Sequence, residues 1–200
     1  RENAAEAAYV EGIDIYPVSN LREAAELMRA QTLPAPFPKA EFKPTVEQGS
    51  VDFKYIKGQY MAKRALEIAV AGGHNILFIG APGSGKTMLA RAAQSIAPEM
   101  SFAEAIETTM IHSVAGEDMP GGIVSARPFR APHQTASGPA ITGGGSNAAP
   151  GELSLAHNGI LFLDELPEFK RDALECMRQP LESGTVHISR VNAKYSYPAS

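Results

Sequence analysis

The stretch Gly80-Ala-Pro-Gly-Ser-Gly-Lys-Thr87 restricts this chain more than any other. It follows the apolar run Ile76-Leu77-Phe78-Ile79 and precedes Met88-Leu89-Ala90-Arg91-Ala92-Ala93. The run reads as a buried strand over Asn75 to Ile79. Leu89, Ala92, Ala93 and Ile96 share one face of a helix that stops at Pro98. Strand, glycine loop and helix in succession form the G-x-x-x-x-G-K-T phosphate cradle. Gly80, Gly83 and Gly85 admit backbone conformations closed to other residues, so that successive N–H groups converge on an anion at the helix N-terminus. Ala81, Pro82, Ser84 and Met88 fill the rest of the loop and the first helical turn. Lys86 brings a point charge to the β- and γ-phosphates of a nucleotide, and the Thr87 hydroxyl is a ligand for Mg2+.

Downstream, Gly159 to Leu163 reads as an apolar strand ending in Asp164-Glu165. In an open parallel sheet the ligand crevice lies beyond the carboxyl ends of the strands. That position suits Asp164 to hold Mg2+ through water and Glu165 to activate the attacking water, which with Lys86 makes the catalytic set. The competing reading is a pair of solvated carboxylates capping the next helix.

Two hundred residues, 44% of them hydrophobic, suffice for a sizeable core. No apolar run approaches the roughly 20 residues a bilayer span needs, and the start lacks a signal peptide's apolar centre. Beginning at Arg1 reads as an excised piece. Cys176, the single cysteine, rules out an internal disulfide framework and fits a reducing cytoplasm. The five histidines show no metal-like spacing; His74 and His157 read as structural hydrogen-bonding residues.

A net charge of -4 argues against a chain that coats nucleic acid by overall charge. Two segments nevertheless carry bases and no acid: Gly121 to Gly138, with Arg127, Arg130 and His133, and Thr185 to Tyr197, with His187, Arg190 and Lys194. Surface charge usually mixes signs, so Arg127, Arg130, Arg190 and Lys194 are candidate contacts to nucleic-acid phosphates, against a solvated face or an intersubunit ion pair.

Along the chain, Asn20 to Ala30 is a short helix with Asn20 and Glu23 as capping pair and Leu21, Ala24, Ala25 and Met28 on one face. Four prolines between Leu33 and Pro44 make an extended linker. Gln59 to Ala71 is a helix capped by Gly72-Gly73, and Ser113 to Gly151 is a long Gly- and Pro-rich stretch. Lys170 to Leu181 is a helix, and "TVHISRVNAKYSY" a hairpin turning near Val191-Asn192-Ala193. These boundaries give residues 1–32 as the tail of a preceding domain, 33–46 as linker and 47–200 as an α/β P-loop core with a parallel sheet and flanking helices.

The blocks "GGHNILFIGAPGSGKTMLARAA", "RPFRAPHQTAS" and "PGELSLAHNGILFLDELPEFKRDALECMRQPLESGTVHISR" resemble the magnesium-chelatase-like AAA+ ATPases of the YifB/ComM type. The resemblance implies a Mg2+-dependent ATPase that forms a ring, usually a hexamer, with ATP between neighbours. Gly58 and Gln59, in Lys57-Gly58-Gln59, would line the adenine pocket. The stretch Ser113 to Gly151 and the hairpin would face the central channel or partners. "YVEGIDIYPVSNLREAAELMRA" resembles the end of the Lon-protease-like domain of that branch, which implies DNA as partner and a helicase role in branch migration, recombination or competence. The alternatives are a chelatase motor driving metal insertion into a porphyrin and a nucleotide-dependent assembly scaffold. Gln134 departs from the second His that members commonly carry. By the same resemblance the sensor strand, arginine finger and lid follow Ser200, so the 200 residues alone are expected to hydrolyse ATP weakly or not at all.

Overall fold

The computed structural model describes residues 3–46, 51–119, 121–145, 148–189 and 194–199. The phosphate loop leads into α4 (Lys86–Ala92), which tightens into a 3-10 turn over Ala93–Ile96 before Pro98. Beneath it lies α3 (Tyr60–Gly72), closed by Gly73 in the left-handed conformation. Leu66, Leu89, Ala92 and Ala93 form a core here with Phe53 of the 3-10 turn Phe53–Tyr55 and with Ile56, which caps that turn.

Asn75 to Ile79, expected as a buried strand, has no regular structure and pairs with no strand among the described residues. Phe78 packs on the core below, while Leu77 and Ile79 stay 66% and 89% exposed. A strand is buried only when neighbours take both its backbone edges and its faces. Here the parallel pairing joins β1 (Phe129–Arg130) to β4 (Ile160–Leu161), in the register Phe129 to Ile160 and Arg130 to Leu161. Gly159 sits where a Cβ would collide with the Pro128 carbonyl, so this approach of the two strands admits only glycine.

The second core belongs to the C-terminal half. Ile141 of α6 (Gly138–Thr142), Leu153 of α7 (Glu152–Leu155), Ala173 and Met177 of α8 (Arg171–Ser183), and Val186 and Ile188 of β5 (Thr185–Ser189) meet there with Ala148 and Phe169. β5 pairs antiparallel with β6 (Lys194–Pro198), which is the expected hairpin; its turn, with Arg190, lies outside the described residues. A small antiparallel pair, β2 (Gly143–Gly144) with β3 (Ala149–Pro150), lies beside it, and the Tyr197 hydroxyl donates to Ala148 O across the two.

Between the cores runs α5 (Phe102–Ala115), which sequence periodicity did not single out. It starts at a full capping box: Glu104 N donates to Ser101 Oγ, and Ser101 N to the Glu104 carboxylate. Toward the N-terminus lie α1 (Ala4–Ala7) and α2 (Leu21–Arg29), and the chain between them is joined to the Pro-rich segment, which forms neither helix nor strand, as expected, but is not free. Phe37 N donates to Ile15 O, Ala40 N to Ala8 O, and Lys39 Nζ to the carbonyls of Val10 and Ile13. Thr45 N donates to Ser125 O at 2.8 Å, and Tyr9 and Phe42 flank Phe102. The expected apolar face of α2 stays uncovered, with Leu21 84% and Met28 80% exposed.

Candidate nucleotide site

Loop geometry and charge agree on the phosphate cradle. Gly83 and Gly85 take φ of 75° and 88°, where other residues are strained. Lys86 folds back into the loop, its Nζ donating to Gly80 O at 2.8 Å and Ala81 O at 2.9 Å. Both partners are neutral carbonyls, and no carboxylate pairs with Lys86 among the described residues. A cation fixed by its own loop and left uncompensated is the arrangement a candidate anion site requires.

Thr87 comes with the helix and Asp164 with the chain just past β4, 77 residues later, yet Thr87 Oγ1 donates to Asp164 Oδ2 at 3.0 Å. Asp164 Oδ1 also accepts from Glu165 N at 3.0 Å. A hydroxyl and a carboxylate side by side are hard oxygen donors of the kind Mg2+ prefers, so the residues fit that ion. Glu165 itself is exposed in the left-handed conformation, φ 52°, and its carboxylate has no partner among the described residues. Such backbone strain at a non-glycine residue costs about 1–3 kcal/mol and gathers at functional sites.

Gly58 and Gln59 both have positive φ, 69° and 53°, and the resulting turn brings Gln59 Nε2 to Ser84 O at 3.2 Å. The 57–59 turn therefore touches the cradle. Ala81, Pro82 and Met88 lie on its exposed side.

The arginines expected on an open basic face are placed otherwise. Arg127 donates through Nε to Pro98 O, through Nη1 to Asn158 O, and through Nη2 to Glu99 O and to Glu104 Oε1 at 2.9 Å. Arg130 grips Glu152 with two bonds, of 2.7 and 3.0 Å, and Glu117 with one of 2.9 Å. Those paired charges raise the Arg130 pKa, the Glu152 hydrogen bonds first among the causes. The pKa of Glu104 is lowered, chiefly by the Ser101 backbone N–H and further by Arg127. The segment Gly121 to Gly138 lacks acids only in sequence; acids from α5, α7 and the chain after α5 fold onto it. Lys194 differs: it is exposed on the hairpin and unpaired among the described residues.

Buried His112 extends the Arg130 cluster, with Nδ1 2.8 Å from Glu117 Oε2 and Nε2 3.0 Å from Leu155 O. His157 is buried and contacts Glu107, as a structural histidine should, whereas exposed His74 lays its ring over Gly72. The Cys176 thiol donates to Ala173 O, and burial pushes its pKa up, so it stays protonated and packed. Among the described residues no group of three or more His, Cys, Asp or Glu is gathered for a metal, and no helix is long and apolar enough to cross a membrane.

A mixed α/β chain with a short parallel sheet and an uncompensated glycine-loop lysine beside a Thr–Asp pair has the frame of a P-loop nucleotide-binding protein. A family model described as "Magnesium chelatase, subunit ChlI" matches residues 52–200, and the chain belongs to that family. It is 46% identical over its whole length to "Competence protein ComM" of Haemophilus influenzae, covering 40% of that protein. It is 45% identical over 99% of its length to "Uncharacterized protein YifB" of Salmonella typhimurium, covering 39%. A more distant similarity, 29% over 59% of the chain and 27% of the relative, is to the "ATP-dependent Clp protease ATP-binding subunit ClpX" of Borrelia duttonii. The chain thus spans about two-fifths of the curated relatives it matches over its whole length.

Proposed function

We propose that this chain is the nucleotide-handling core of a Mg2+-dependent ATPase of the AAA+ class, acting as a cytoplasmic ring, six subunits by the family's habit, that moves or remodels DNA. The observation that carries the nucleotide reading is Lys86, bonded to two loop carbonyls with no carboxylate partner among the described residues, and standing beside the Thr87–Asp164 contact. Lys86 and the loop N–H groups would hold the phosphates, Thr87 and Asp164 the Mg2+, and Gly58 and Gln59 the adenine side. Bound Mg2+ would neutralise charge developing on the phosphates. Glu165 would take the proton from water, and its strained backbone fixes where its carboxylate points.

The DNA-processing reading is favoured over the porphyrin-chelatase reading by one finding. The family model begins at residue 52, but identity to the competence protein continues through the first 51 residues. That supports residues 1–32 as the end of a further domain joined by 33–46. Titration with a fluorescent ATP analogue tests the nucleotide site: wild type should bind and Lys86→Ala should not. Steady-state hydrolysis by the full-length protein tests the partner. Stimulation by branched DNA supports the DNA reading, and stimulation by a metal-free porphyrin instead would overturn it.

A further inference from the structure

Arg127 reaches acceptors on separate parts of the frame around the nucleotide site. Pro98 and Glu99 close the stretch that opens at Lys86 and Thr87, and their carbonyls take Nε and Nη2 at 2.6 and 3.2 Å. Asn158 stands in the turn just before β4, with Asp164 three residues past that strand, and the Asn158 carbonyl takes Nη1 at 2.8 Å. Glu104, in the first turn of α5, takes Nη2 at 2.9 Å. Asn158 is itself held: its φ is 59°, and its side-chain amide donates to Glu104 O and Thr108 Oγ1. Two residues before Arg127, Ser125 is tied to Thr45 by backbone and by side chain.

The planar guanidinium fork is stiff enough to serve all of these at once, and its side chain is only 18% exposed. Both connections it joins are short: about 15 Å of helical chain from Lys86 to Ile96, and the six steps from the Asn158 turn through β4 to Asp164. A displacement at their shared base is therefore carried to the other end. The Thr87–Asp164 hydrogen bond of 3.0 Å is lost once its partners separate by about another half ångström.

We infer that Arg127 is a positioning residue of the nucleotide site, holding the Asp164 strand in register with the P-loop helix from the end opposite the phosphates. The inference rests on the reading of Gly80–Thr87 and Asp164 as a Mg2+-nucleotide site. The P-loop travels with its own helix, so the cradle and Lys86 keep their geometry without Arg127. What is lost is the placement of Asp164 against Thr87, and with it the contribution of Mg2+ to ATP affinity.

The test is the ATP dissociation constant of this chain in EDTA and in Mg2+, for wild type, Arg127→Ala, Arg127→Lys and Asp164→Asn. Arg127→Ala should leave the EDTA value near wild type, while the gain in affinity on adding Mg2+ falls about fivefold or more, the lower range of ordinary coupling between sites. Combining it with Asp164→Asn should cost no further Mg2+ dependence. Arg127→Lys keeps charge and stem but cannot span the Pro98 and Asn158 carbonyls together with Glu104. It should show the same loss, and it carries the test if the alanine variant does not fold. A Mg2+ gain equal to wild type in a folded Arg127 variant, with only a lower melting temperature, would overturn the inference and leave Arg127 a stabilising residue. Absence of ATP binding by wild type, or a Mg2+ gain unaffected by Asp164→Asn, would overturn the reading of the site itself and this inference with it.

Discussion

Lys86 and Arg130 are both cations in stretches rich in glycine or proline, and the structure treats them in opposite ways. Among the described residues Lys86 meets only neutral carbonyls of its own loop, whereas Arg130 is held by two carboxylates from other elements. The carboxylates repeat the contrast, since Glu165 is exposed without a partner among the described residues and Glu104, Glu117 and Glu152 are all paired. A charge neutralised inside the fold contributes to structure, and one that the fold holds in place without neutralising is free to act on a ligand.

That contrast breaks most visibly at Glu165. In the full-length protein Glu165→Gln should retain ATP while turnover falls about 10²–10⁴-fold, the usual contribution of a general base. Wild-type turnover in that variant would show that another group activates water. Lys86→Ala should weaken ATP binding about 10- to 100-fold, as loss of one charge-assisted contact implies, without lowering the melting temperature. Arg130→Ala should do the reverse. Leaving Glu117 and Glu152 facing each other across a half-buried gap should cost about 1–3 kcal/mol of stability, between surface and buried pairs, with ATP affinity unchanged. Equal losses of binding and stability in both variants would erase the distinction.

Acid sharpens it further. Because the folded state lowers the Glu104 pKa, its contribution is present above the ordinary glutamate range and is lost as pH falls through the folded value. Melting curves between about pH 6 and pH 3 should show the gap between wild type and Glu104→Gln closing as pH falls. A gap that stays constant would mean that Glu104 acts through packing. The smallest effect belongs to exposed Lys194. If it meets a DNA phosphate in the full-length protein, Lys194→Ala should reduce the slope of log affinity against log salt by about 0.9. An unchanged slope returns Lys194 to the solvated face of the hairpin.

Much of the fold was legible where its causes are local. The cap at Asn20, the glycine closing α3 and the hairpin begun at Thr185 each depend on residues close along the chain, and each stands in the structure. α5 was equally legible through the Ser101-Phe-Ala-Glu104 capping box, a signal passed over because apolar periodicity there is weak. Asn75 to Ile79 was misjudged for the opposite reason. Its apolar character is local, but burial depends on strands beside it, and β1 and β4 pair with each other instead. Asn158-Gly159 offered a turn signal, although nothing in it announced that Arg127 would bind there.

The sequence by itself determined the cradle from Gly80 to Thr87, because glycine conformations, helix N-terminal N–H groups and the reach of Lys86 are all settled within eight consecutive residues. Only the tertiary structure decided which charges remain available. The acid that meets Arg127 lies 23 residues away and those that meet Arg130 lie 13 and 22 away, while the acid that meets Thr87 lies 77 away. Coulomb attraction and hydrogen bonding act over ångströms of space, and only folding sets those distances between residues remote along the chain.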